Sequence, residues 1–110
     1  MQTKLVNLTP HELTIYCADG DTVTVPRTGK VARVHEVREP VGIVDGITIE
    51  TVYPGRVEGI PPPQDGVVYI VSSIVSQATG RPDVFAPGQL IRDEHGQPLG
   101  CRGLCRREAP

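Results

Sequence analysis

Histidine, cysteine and arginine are the side chains of this chain that could bind metal, attack a substrate or hold an anion, and their spacing decides among those chemistries. His11, Cys17, Cys101 and Cys105 are ligand types suited to zinc. Their pattern is Cys-x₃-Cys with one distant histidine, which matches none of the paired spacings of structural zinc sites, so no metal and no cofactor is expected. Cys101 with His11 and either Asp83 or Asp93 would make a nucleophile, base and orienting acid, the set that covalent catalysis requires. No local signature surrounds them, so no catalytic residue is assigned. The paired acids Asp19 with Asp21 and Asp93 with Glu94 fall in turn-like segments, where carboxylates bond their own backbone. Arg81, Arg92, Arg102, Arg106 and Arg107 offer guanidinium forks that match phosphate oxygens. Anion binding is the chemistry these residues could do, while for each residue taken singly the structural role, in which Arg81 pairs Asp83 and Arg92 pairs Asp93 or Glu94 to pin a loop, is the favoured reading.

Composition bounds the scaffold that must position them. The 110 residues suit one domain, and 38% hydrophobic with 22% charged residues describe a chain that folds. The net charge of -2 lacks the cationic surplus that duplex nucleic acid demands. No apolar run approaches the ~18 residues of a membrane span, so no membrane partner is expected. Met1-Gln2-Thr3-Lys4 leads into no signal-peptide core, which gives a cytoplasmic location as the expectation. Twelve glycines and eleven prolines, dispersed along the chain, imply many short elements joined by turns.

Periodicity identifies those elements as mostly strands. Leu13, Ile15 and Cys17 alternate with polar neighbours, Ala18-Asp19-Gly20-Asp21 turns the chain, and Thr22-Val23-Thr24-Val25 returns as a β-branched strand. Val31–Arg38 carries polar residues on both faces and reads as a strand at an edge or under a loop. Asp45-Gly46 lies between Val41–Val44 and Ile47–Tyr53, the strongest short-range hairpin signal, with a type I′ turn. Pro54-Gly55 punctuates it, Arg56–Gly59 adds a short strand, and Ile60-Pro61-Pro62-Pro63 is an extended connector. The unbroken run Val67–Val71 suits a central strand covered on both faces. Ser72 or Ser73 then caps a short helix near residues 73–79, with Ile74, Val75 and Ala78 on its inner side and Gly80 at its end. Ala86-Pro87-Gly88 reads as a turn, and Gln89–Arg92 pairs with Pro98–Cys101 across Asp93–Gly96. The fold class is mostly β (α+β), a small antiparallel or mixed sheet or barrel-like sandwich with that one helix. Residues 1–105 form a single β-rich domain and 106–110 a frayed tail. A small sheet with edges to cover makes a homo-oligomer the expectation.

Seven segments carry a resemblance: Asn7-Leu8-Thr9-Pro10-His11, Gly29–Val34, Gly59-Ile60-Pro61, Tyr69–Ser72, Arg81-Pro82-Asp83-Val84, Arg92-Asp93-Glu94 and Gly100-Cys101-Arg102. In this order the chain resembles a group of small, mostly uncharacterised proteins of bacteriophages and actinobacterial genomes. The resemblance implies a phage-type binding protein more than a catalyst. A non-enzymatic module is expected, one that sequesters a nucleotide-derived immune signal as a counter-defence. Its ligand-binding residues would be His11, Arg81, Asp83, Arg92, Asp93 and Arg102. The arginines would hold phosphate, while His11 and the aspartates would read ribose or base edges. The alternatives are an accessory or structural protein that binds a host or viral protein through a strand edge, and a small hydrolase using His11 with Cys101 or Asp93.

Overall fold

Among the described residues, eight strands and one short helix follow in the order β1 (Lys4–Asn7), β2 (Leu13–Tyr16), β3 (Thr22–Val25), β4 (Arg33–Val44), β5 (Ile47–Glu58), β6 (Val67–Ile70), α1 (Ser73–Thr79), β7 (Val84–Arg92) and β8 (Pro98–Cys105). The computed structural model describes residues 3–106. Six strands form one mixed sheet in the order β1-β6-β7-β8-β2-β3, while β4 and β5 pair only with each other. The fold is therefore mostly β, as the alternating patterns indicated. The six-stranded sheet curls until its two edges meet: a parallel bridge joins Asn7 to Arg27, just past β3, and the amide of Thr28 donates to the Asn7 carbonyl at 3.2 Å. A nearly closed barrel results.

β6 is the central strand that its apolar run required. It pairs in parallel with β1 on one side and β7 on the other, and α1 lies in the crossover that parallel pairing demands. Its alternate residues serve two cores. Tyr69 and Val71 join Leu8, Ala32, Val75 and Val84 on the helix side. Ile70 faces the other way, into the barrel, with Ile15, Val25 and Cys101. At roughly 25 cal/mol per Å² of apolar area, burial of this strand's two faces contributes hydrophobic stabilisation to both cores.

The remaining differences from the sequence reading have local causes. β1 was not anticipated, because four polar-punctuated residues carry no period of their own. It exists because β6 offers a ladder. Ala86-Pro87-Gly88 is not a turn but the middle of β7, paired with β8 through Ala86–Cys105, Pro87–Leu104 and Gln89–Arg102. Proline fits because the β6–β7 register ends at Ile70–Phe85, so no partner on that side needs its missing N–H. Glycine is required because a Cβ at Gly88 would stand 2.1 Å from the Arg102 carbonyl oxygen. Helix α1 buries Val75, as expected, together with Ser76, and Ala78 is half-buried, whereas Ile74 is 44% exposed and does not join the inner side. Ser72 occupies the N-cap position without a side-chain bond to the helix, and Gly80 ends it in the left-handed region at φ 64°. Cys105 belongs to β8, and the Arg106 guanidinium donates to the Pro82 carbonyl at 2.9 Å over the Phe85 ring. Residues 107–110 of the expected tail lie outside the described residues.

The Asp45-Gly46 hairpin is present, with both residues at positive φ as a type I′ turn needs. It is far longer than anticipated. Its strands absorb Glu39-Pro40 on one side and Pro54-Gly55-Arg56 on the other, giving twelve residues each. The two prolines are tolerated because both strands are edges, and register shifts near Val41 and Gly55 take up the irregularity. The radius of gyration, 16.9 Å, exceeds the ~13 Å of a compact chain of this length, in keeping with this arm.

Candidate functional site

The segment Asn7–His11 closes the barrel. The Asn7 side chain is fully buried and has all of its bonding capacity used. Its Nδ2 donates to the carbonyls of His11 at 2.8 Å and Val25 at 3.1 Å, while its Oδ1 accepts the Thr9 amide at 2.9 Å. The Thr9 hydroxyl lies 2.6 Å from Asn7 Oδ1 and 2.9 Å from the His11 carbonyl, and with one proton it donates to one of them at a time. Burying an amide this completely is acceptable only because every polar atom is paired. The consequence is a rigid backbone from Asn7 to His11, with Leu8 sunk in the core and Pro10 and His11 exposed.

Three adjoining cavities meet at that exposed pair. The first, about 390 Å³, is walled by Leu13, Pro87, Leu90, Pro98 and Leu99, with His11 and Glu12 as its polar edge and Cys101 at its floor. The second, about 470 Å³, shares His11, Leu13, Pro87 and Leu90 with the first and extends over Pro10 to Ser72. The third, about 440 Å³, shares Pro10 and Ser72 with the second and continues to Val31, Arg33, Val34 and Ile74 at the base of the arm. A groove thus runs from the barrel mouth to the arm. Each part has the size usual for a small-molecule site and a mostly apolar wall with few polar groups.

Of the six residues nominated from sequence, His11 lines this groove. The structure joins Arg81 and Asp83 into a fork, with Nε–Oδ1 at 3.0 Å and Nη2–Oδ2 at 2.7 Å. The third guanidinium nitrogen of Arg81 donates to the Pro61 carbonyl at 2.9 Å, and the group lies over the Tyr69 ring. The hydrogen bonds from Arg81 hold the Asp83 carboxyl below its ordinary pKa, and Asp83 in turn raises that of the guanidinium. This pair pins the Pro-rich connector to the loop before β7. Arg92 and Asp93 flank the β7–β8 turn, but they do not pair. Arg92 donates to the Gly96 carbonyl at 2.7 Å, and Asp93 Oδ1 accepts the amides of His95 at 2.8 Å and Gln97 at 2.9 Å. Glu94 instead lies 3.6 Å from the His95 imidazole. Asp19 likewise accepts the Asp21 amide at 2.9 Å, the turn role its position indicated. Arg102 is exposed on β8, opposite Gln89 and Tyr16.

The three cysteines are free thiols. Among the described residues no group of three or more histidine, cysteine or acidic side chains could hold a metal ion. Also among them, no helix is long and apolar enough to cross a membrane. Sequence reasoning did not anticipate the clamp of Asn7 or the lining roles of Leu90, Leu99 and Arg33. An asparagine two residues before a threonine and a proline was a detectable turn signal; for the lining residues no local signal existed. No family model matches the chain, and no curated protein or solved structure matches it.

Proposed function

We propose that this protein is a non-enzymatic binding module that holds a nucleotide-derived small molecule in the groove beside His11, acting as a homo-oligomer in the cytoplasm of a phage-infected host. The observation that carries this reading is the locked Asn7–His11 backbone at the junction of the cavities. A wall ordered before binding spares the ligand the entropy of ordering it. The apolar sides formed by Leu13, Pro87, Leu90 and Leu99 suit a base plane, and the imidazole at the rim suits a ribose hydroxyl or base edge. Arg102 is exposed on β8 and is the proposed phosphate contact, although it is not itself a lining residue of the groove. Arg81 and Asp83 take a supporting part in this reading, because their strongest bonds are to each other.

The test is a thermal-shift panel of mono-, di- and cyclic dinucleotides, followed by mass analysis of what denaturation releases. A ligand at a hundred times its Kd adds about 2.7 kcal/mol to the native state. Stabilisation by a panel member, its loss in His11→Ala and Arg102→Ala, and recovery of intact ligand are expected. Silence across the panel refutes the reading, and recovery of cleaved ligand replaces it with a hydrolase.

A further inference from the structure

The groove beside His11 carries charge at both ends, and the two ends differ in what those charges already hold. At the barrel mouth the Glu12 carboxylate stands on the edge of the first cavity and, among the described residues, has no ion pair. At the base of the arm the third cavity carries Arg33 and Glu36. Glu36 lies 3.5 Å from the Arg38 guanidinium, so its charge is offset there. Arg33 stands directly opposite Glu58 in the β4–β5 register, yet Glu58 turns to His35, at 2.9 Å, and to Arg56. The Arg33 guanidinium is left, among the described residues, with no acid and no hydrogen-bond partner. Its backbone is nonetheless held by the barrel edge. Ala32 donates its amide to the Leu8 carbonyl at 3.0 Å, and the Thr28 amide and hydroxyl both donate to the Asn7 carbonyl, at 3.2 and 3.1 Å. Arg33 and His11 therefore stand on one locked frame.

We infer that Arg33 is the anion contact inside the groove, and that the ligand is an extended nucleotide with its base in the first cavity and a terminal phosphate at Arg33. This rests on the reading above and names the class of ligand within it. Length follows from the lining. The first and third cavities share no residue, and they connect only through the second, by way of Pro10 and Ser72. A nucleoside monophosphate seated beside His11 does not reach Arg33; a linear dinucleotide does. Direction follows from charge. Glu12 repels phosphate at the barrel mouth and accepts from hydroxyl or amino groups there. From Val25 to His35 the chain carries Arg27, Lys30 and Arg33 with no acid among them, in a protein whose net charge is -2. All three are exposed, so the arm end of the groove has a locally positive field, and a free guanidinium offers phosphate a two-pronged contact. Arg102, outside the lining, meets a phosphate nearer the base.

Calorimetric titration of the full chain with the four linear homodinucleotides, each with and without a 5′-phosphate, and with their cyclic counterparts, reads the outcome. For the base that binds, the added phosphate should lower Kd at least about tenfold. Arg33→Gln should erase that increment and leave the unphosphorylated ligand unchanged, at unaltered far-UV CD, while Arg33→Lys should keep part of it. Glu36→Gln, which removes the one carboxylate on that wall, should enlarge it. Lys4→Gln removes the same charge at the opposite end of β1 and should leave it intact. An increment that survives Arg33→Gln, or a loss that falls equally on both ligands, overturns the assignment of Arg33. A cyclic dinucleotide that binds more tightly than the linear phosphorylated one overturns the extended ligand. In each of those cases binding that still depends on His11 leaves the groove standing as the site, whereas no binding by any of these ligands overturns both readings.

Discussion

Replacing Asn7 by alanine or by aspartate separates the two things its amide does. Asn7→Ala removes the acceptor of the Thr9 amide and the donor to the Val25 and His11 carbonyls. The His11 carbonyl keeps the Thr9 hydroxyl, so the Thr9 N–H and the Val25 carbonyl bear the loss. At about 1–3 kcal/mol for each buried group left unpaired, together with the space vacated, the cost comes to roughly 3–5 kcal/mol. That is a large share of the ~5–15 kcal/mol that holds a domain of this size. Asn7→Asp keeps the shape and the acceptor but puts an oxygen where Nδ2 stood, 2.8 and 3.1 Å from two carbonyl oxygens. Burial and that repulsion raise the carboxyl pKa in the folded state above its unfolded value near 3.9. A raised folded pKa makes the penalty absent below about pH 4 and growing as pH rises, so the aspartate variant should approach wild type at pH 4 and fall furthest behind at pH 7. Urea unfolding followed by far-UV CD suits a chain with no tryptophan. A loss under about 1 kcal/mol for Asn7→Ala, or a pH-independent gap for Asn7→Asp, would show that the clamp does not close the barrel.

The Arg81–Asp83 fork gives the opposite pH signature. Asp83 has a lowered pKa in the folded state, so its contribution is complete above the unfolded value and disappears as pH falls through the folded one. Asp83→Asn should cost about 1–3 kcal/mol at pH 7, with the gap to wild type closing in strong acid; a gap constant down to pH 2 contradicts the assignment. Close backbone approach predicts that Gly88→Ala and Gly100→Ala, whose new Cβ atoms would stand 2.1 and 2.4 Å from carbonyl oxygens, each lower stability by about 2 kcal/mol or more. Gly42→Ala meets nothing within 4 Å and should stay within about 0.5 kcal/mol, so equal effects at all three positions in thermal melts would defeat the argument.

Several segments behind the resemblance acquire physical roles in the fold. Asn7 and Thr9 lock the barrel edge, and the buried Ala32 donates its amide to the Leu8 carbonyl at 3.0 Å. Gly59, at φ 90°, sits where a Cβ would stand 3.0 Å from the Val31 carbonyl oxygen, and a Cβ on Gly100 would meet the Thr14 backbone. Arg81 and Asp83 tie the connector, and Asp93 builds a turn. Position along the chain made these residues noticeable, but it did not distinguish structural roles from ligand contacts. The bonds of Arg81, Asp83 and Asp93 are ones that a folded chain needs with or without a ligand.

What the sequence determined by itself is everything governed by near neighbours: the alternating strands, the Asp-Gly and Asp93–Gly96 turns, the short helix ended by Gly80, and β6 as a strand buried on both sides. Period, turn chemistry and β-branching act over a few residues and need no partner to be read. Tertiary structure alone decided that Lys4–Asn7 is a strand, that Pro87-Gly88 runs straight, and that His11 shares a groove with Leu90 and Leu99 some eighty residues away. It also decided that Arg81 is spent on Asp83 and Pro61, and that the Asp45 hairpin stands out from the body. Those outcomes depend on which carbonyl or ladder lies opposite a residue once the sheet curls, and pairing across a barrel leaves no mark in local spacing.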